Sequence, residues 1–130
     1  TLPDDMHKAQ EIMKRALNEV HRCFRPGLTV SNGHNIVNDI ISDNDIGGTL
    51  ITRAGYSIGI AFPPSWDEGE IIGLKPGVNT PLQEGMVFHV IPWMWGVGGT
   101  KTVGISDTIY ITKDGCKSFF DLDKDFIVNP

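Results

Sequence analysis

The chain has 130 residues, a net charge of −5 and 40% hydrophobic content, enough for one folded domain with its own core. It holds no basic block, which argues against a nucleic-acid partner, and no apolar run of membrane-spanning length. The N-terminus, TLPDDMHK, is polar and acidic rather than a signal sequence, so a cytoplasmic protein is expected.

Residues about 4–24 are predicted to form an amphipathic helix. Met6, Ala9, Met13, Ala16, Leu17, Val20 and Phe24 recur at helical spacing and make one apolar stripe. Asp4 or Asp5 is expected to cap it, and Pro26-Gly27 to end it. A second helix is expected at about 31–43, capped by Ser31, with Ile36, Val37, Ile40 and Ile41 on its apolar face. His34 on this helix is expected to face solvent.

From about residue 50 the chain turns rich in Gly, Pro and β-branched residues. Strands are predicted at 57–61, 70–74, 86–92, 102–112 and 117–120. Met86–Ile91 is nearly all apolar and is expected to lie centrally. Lys113-Asp114-Gly115 reads as a hairpin turn. Helices followed by a run of strands indicate an α+β fold.

Gly96–Thr102 resembles a phosphate-binding loop but lacks the Gly that must precede Lys101, so it is expected to be a hairpin loop. Cys23 and Cys116 are expected to be reduced and buried. The histidines His7, His21, His34 and His89 form no paired zinc motif. His89 stands apart because it interrupts an apolar strand just ahead of a Trp-rich loop.

Three segments, in order, resemble the second half of the pita-bread hydrolases, the creatinase, prolidase, aminopeptidase P and methionine aminopeptidase superfamily. They are Arg53–Gly59 with Phe62-Pro63-Pro64, Leu82–Pro92, and Val103–Gly115. The resemblance implies one domain over residues 1–130: two helices and a curved antiparallel sheet, half of a two-part fold. It also favours a truncated chain, because the family's two Asp metal ligands lie upstream of the first helix and the chain opens on Thr1.

The remaining family ligands are a His and two Glu. At their places stand Tyr56, Ile91 and Ser106, so the resemblance implies no metal site and no cofactor. It comes closest to the metal-free ectoine-hydrolase-like subgroup, and less to creatinase; such chains are often labelled Xaa-Pro dipeptidases. The implied function is part of a metal-independent C–N hydrolase for a small amidine, amide or dipeptide-like substrate. The alternatives are an Xaa-Pro dipeptidase-like chain inactive in this form and a non-catalytic peptide- or protein-binding module. His89 is the expected base or proton shuttle and Tyr56 a hydrogen-bond donor. Arg53 would pair with a substrate carboxylate, and Trp93 and Trp95 would wall the pocket. A half-fold with open strand edges is expected to form a homodimer.

Overall fold

The computed structural model describes residues 1–61, 64 and 71–127. Phe62, Pro63 and the Glu70 end of the expected 70–74 strand lie outside the described residues.

Helix α1 spans Asp4–Cys23 and α2 spans Val30–Ser42. The apolar stripe of α1 is buried as its spacing predicts, with Ala9, Met13, Ala16, Leu17, Val20 and Phe24 in the core and Met6 packed at its margin. Burial of each large side chain contributes about 1.5–3 kcal/mol. Helix α2 presents a bare position to the residue that follows α1. A Cβ on Gly33 would lie 2.9 Å from Phe24 Cζ, so glycine leaves room for the Phe24 ring.

The helix caps differ from expectation. Pro3 occupies the N-cap of α1 with no side-chain cap bond. Asp4 and Asp5 instead sit in the first turn, where the helix dipole favours carboxylates, and Asp5 accepts from Lys101 at 2.6 Å. Thr29, not Ser31, caps α2 by accepting from the Asn32 amide. Ser31 lies inside the helix, past the N-cap position, and its hydroxyl accepts from the Gly77 amide instead.

The strands are β1 (Gly55–Ser57), β2 (Gly73–Leu74), β3 (Val87–Val90), β4 (Trp93–Val97), β5 (Lys101–Gly104), β6 (Asp107–Ile111) and β7 (Cys116–Ser118). All strand pairs are antiparallel. A five-stranded sheet runs β2-β1-β3-β6-β7, and β4-β5 form a separate ribbon. Strand β3 is central, as its apolar run indicates.

Three expectations for the strand region need correction. The stretch 102–112 divides at Ile105-Ser106 into β5 and β6, which belong to different sheets. The Trp-rich segment is not a loop but strand β4, with a bulge between Trp95 and Val97 where Gly96 takes a φ of 82°. The turn between β4 and β5 passes through Gly98 and Gly99, both at positive φ. The 57–61 strand is realised earlier and shorter, as β1.

One face of the five-stranded sheet carries Ser57, Phe88, Val90, Asp107, Ile109 and Ile111, all buried. The opposite face carries Tyr56, Val87, His89, Thr108 and Tyr110, all half-buried. Alternation along each strand produces this division. Among the described residues no helix is long and apolar enough to cross a membrane.

Candidate functional site

Register places the candidate residues. Tyr56 of β1 pairs with His89 of β3, and His89 pairs with Thr108 of β6. The three side chains therefore form a row across the half-buried face. The Tyr56 and His89 rings lie 5.5 Å apart, and His89 Nδ1 is 3.0 Å from the Thr108 hydroxyl. Burial holds the His89 pKa below its ordinary value of 6.5, with the Asp107 charge opposing it. The imidazole is thus neutral at pH 7. With Nδ1 engaged by Thr108, Nε2 is the nitrogen left to exchange a proton.

Arg53 lies at the upper end of this row. Its guanidinium carbon is 4.9 Å from the Tyr56 ring centroid, a cation–π distance. A cavity of about 420 Å³ opens beside it, lined by Arg53, Tyr56, Lys75, Ile91 and Trp93 among others. Ile91 and Trp93 also line a neighbouring cavity of about 340 Å³, together with Thr102, Ile105 and Ser106. Trp95 stacks on Trp93 at 5.2 Å but lines neither cavity. His89 lines neither cavity as well, although its ring is next to that of Tyr56. The structure therefore joins Arg53, Tyr56 and Trp93 around one space, with His89 next to Tyr56 outside the lining and Trp95 stacked on Trp93.

The residues at the expected ligand places, Tyr56, Ile91 and Ser106, do converge on these two cavities. As a donor set they do not fit a pair of divalent ions. Ile91 has no donor atom, and the phenol and alcohol of Tyr56 and Ser106 are far weaker ligands than the carboxylates and imidazole such ions need. Among the described residues no cluster of three or more His, Cys, Asp or Glu side chains could hold a metal.

His34 is not solvent-facing as expected but 6% exposed. Its Nδ1 is 2.9 Å from the Leu74 carbonyl oxygen. A carbonyl only accepts, so this nitrogen carries the proton. The Ala54 amide donates to the same carbonyl at 2.8 Å. His34 thereby clasps α2 to the end of β2. Burial lowers its pKa below 6.5.

His21, which sequence spacing left unassigned, meets Asp107 and Ser118 on the helix side of the sheet. His21 Nε2 is 3.0 Å from Asp107 Oδ2. The Ser118 hydroxyl donates to that same oxygen at 2.5 Å and lies 3.2 Å from Nε2. Lys124 Nζ is 3.6 Å from the other carboxylate oxygen. A catalytic relay needs the carboxylate on one ring nitrogen and the hydroxyl on the other; here both meet Nε2. The cluster compensates a buried carboxylate and ties α1 to β6 and β7. Cys23 and Cys116 are free and only partly buried.

A family model for metallopeptidase family M24 matches residues 2–113. An ectoine hydrolase from Halomonas elongata is 37% identical over 78 residues, 58% of this chain and 18% of that protein. A Xaa-Pro dipeptidase from Lactobacillus helveticus is 29% identical over 130 residues, 100% of this chain and 33% of that protein. The crystal structure of a prolidase from Pyrococcus horikoshii superposes with a TM-score of 0.83 at 24% identity, covering 98% of this chain and 35% of that one. The chain spans about a third of the dipeptidase and less of the ectoine hydrolase.

Proposed function

The chain belongs to metallopeptidase family M24 and has an α+β fold of the pita-bread type; from that premise we propose that it is part of a metal-independent hydrolase of C–N bonds. The substrate is a small amidine, amide or dipeptide-like molecule. The observation that carries this reading is the Tyr56–His89–Thr108 row beside Arg53, with the non-ligating Ile91 across the same cavity.

In this reading His89 takes a proton from water as the water oxygen bonds to the substrate carbon. Its lowered pKa keeps the base form available at neutral pH. The Tyr56 phenol donates a hydrogen bond to the atom where negative charge develops. When the C–N bond breaks, the proton held by His89 goes to the departing nitrogen. Arg53 holds a substrate carboxylate through its planar fork, and Trp93, backed by Trp95, walls the cavity. The chain acts as a homodimer, in which a second copy lies against the half-buried sheet face.

A non-catalytic peptide-binding module is favoured by one observation, that His89 lines neither cavity. Hydrolysis of Xaa-Pro dipeptides and of cyclic amidine carboxylates by the purified chain separates the readings. His89→Asn should lower kcat by a factor of about 100 or more, and Tyr56→Phe by a smaller factor. Turnover that survives His89→Asn unchanged, or no turnover of any such substrate, would remove His89 as base and favour the binding module.

A further inference from the structure

Taking from the hydrolase reading only that substrate enters the Tyr56 cavity, we propose that Gly104 is a positioning residue that seats Trp93 as a partition between two compartments. The second compartment selects substrates that carry an uncharged, largely apolar group, such as an acyl chain, on the far side of Ile91.

Strand register sets this up. Trp93 pairs with Gly104, and Trp95 with Thr102, in the β4–β5 ribbon. Residues two apart on a strand share a face, so the two indoles stack, with centroids 5.2 Å apart. A Cβ on Gly104 would lie 3.4 Å from both Cγ and Cδ1 of Trp93 and 3.6 Å from its Nε1. The pyrrole ring therefore rests over the bare α-carbon, the way an aromatic side chain covers a cross-strand glycine. Trp95 and Gly104 both contact the indole, yet Trp93 stays 38% exposed.

The backbone beside Trp93 is pinned as well. The Ile91 amide donates to the Ala54 carbonyl at 2.8 Å, and the Pro92 carbonyl accepts from the Ile105 amide at 3.2 Å. Pro92, between them, has its φ fixed by the ring. Ile91 and Trp93 line both the 420 Å³ and the 340 Å³ cavity, so they are the wall the two share. Tyr56 stands on one side of that wall. On the other, the described lining adds Ile105, Gly104 and the hydroxyls of Thr102 and Ser106. Apolar side chains with two neutral hydroxyls suit an acyl or alkyl group. A substrate lying over Ile91 puts its reacting polar part beside Tyr56 and that group beyond Trp93.

The test uses N-acetylproline and N-butanoylproline, whose acyl groups differ by two methylenes. Binding to the 130-residue chain is followed by NMR titration, with the Trp93 indole N–H as reporter. A buried methylene is worth about fourfold in affinity, so the partly enclosed butanoyl chain should bind about tenfold more tightly. Gly104 is exposed and not at positive φ, so the strand tolerates a side chain there. Gly104→Ala puts its Cβ at ordinary contact distance from the indole and should retain the preference. Gly104→Val drives branched carbons into the indole. It should shift the Trp93 signal and cut the preference to about twofold or less, leaving N-acetylproline affinity nearly unchanged. Trp93→Ala removes the partition itself and should lose the preference too. Unperturbed amide spectra of the core establish that each variant is folded. Equal affinities for the two ligands, no saturable binding of either, or a Gly104→Val chain that keeps both preference and indole signal would each overturn the proposal. So would Gly104→Val weakening both ligands equally, the mark of a merely structural role. Were Gly104→Val unfolded, a Trp93→Ala chain that keeps the preference would overturn it alone. A Gly104-dependent preference without hydrolysis would sink the hydrolase reading and leave the partition standing. Hydrolysis without the preference would do the reverse.

Discussion

Replacing Gly55 with alanine tests whether the Tyr56–His89 pair depends on the backbone contact beside it. Gly55 is in β1, paired with Leu74 on one side and Val90 on the other. An added Cβ would overlap the His89 carbonyl oxygen and lie 3.0 Å from both Val90 Cα and Leu74 Cδ1. Two of those atoms are backbone and cannot rotate away, so β1 must shift from β3. Overpacking of this kind costs about 1–3 kcal/mol, and the backbone obstruction puts Gly55→Ala near about 3 kcal/mol. Gly115→Ala is the control, because its Cβ would meet only Thr112 Oγ1, at 3.7 Å; it should change stability by less than about 0.5 kcal/mol. Urea denaturation measures both. The His89 ring-proton shift, sensitive to the neighbouring Tyr56 ring, should move in Gly55→Ala only. A Gly55→Ala variant as stable as the parent, with an unchanged His89 shift, would refute the close β1–β3 contact on which the site is built.

His34 and His89 both have folded pKa values below 6.5, so between 6.5 and those values the unfolded chain binds more protons. Stability is therefore intact above pH 6.5 and falls as pH drops below it. Urea midpoints at pH 7 and 5 should show this loss, and His34→Asn, which keeps a donor near Leu74 but does not titrate, should reduce it. An unchanged pH slope would contradict the buried, neutral His34. Burial pushes the Cys116 thiol up to about 11, leaving about a thousandth as thiolate at pH 8. Iodoacetamide should label native Cys116 far more slowly than the unfolded chain, and equal rates would place the thiol in water. Light scattering at micromolar concentration should give the mass of a homodimer, and a monomer would sink that proposal.

The helices were legible because burial of α1 follows a single periodic stripe, and β3 because only a central strand is apolar on both faces. The β5–β6 boundary was not. Thr102–Thr112 is rich in β-branched residues throughout, and the change of sheet at Ile105-Ser106 follows only a lone glycine, Gly104. Strand β4 was hidden by Gly96, Gly98 and Gly99, which serve a bulge and a turn rather than a loop. His34 was misjudged because helix periodicity gives no hint that a β-strand end reaches over a polar position. The signal available was Gly33 beside it, a small residue where something must come close. In the site, Arg53 and Tyr56 came from the motif resemblance, and Trp93 from the aromatic wall that a small-molecule pocket needs. Lys75 could not, since only the pairing of β1 with β2 and the hydrogen bond from the Lys75 amide to the Gly73 carbonyl bring it to the cavity.

Hydrolysis of a Xaa-Pro dipeptide or cyclic amidine carboxylate, measured with saturating chelator and then with added Mn²⁺ or Zn²⁺, tests the central claim most directly. A donor set of Tyr56, Ile91 and Ser106 predicts a rate that the chelator leaves unchanged and added metal does not raise. Activity abolished by the chelator and restored by the metal would contradict it.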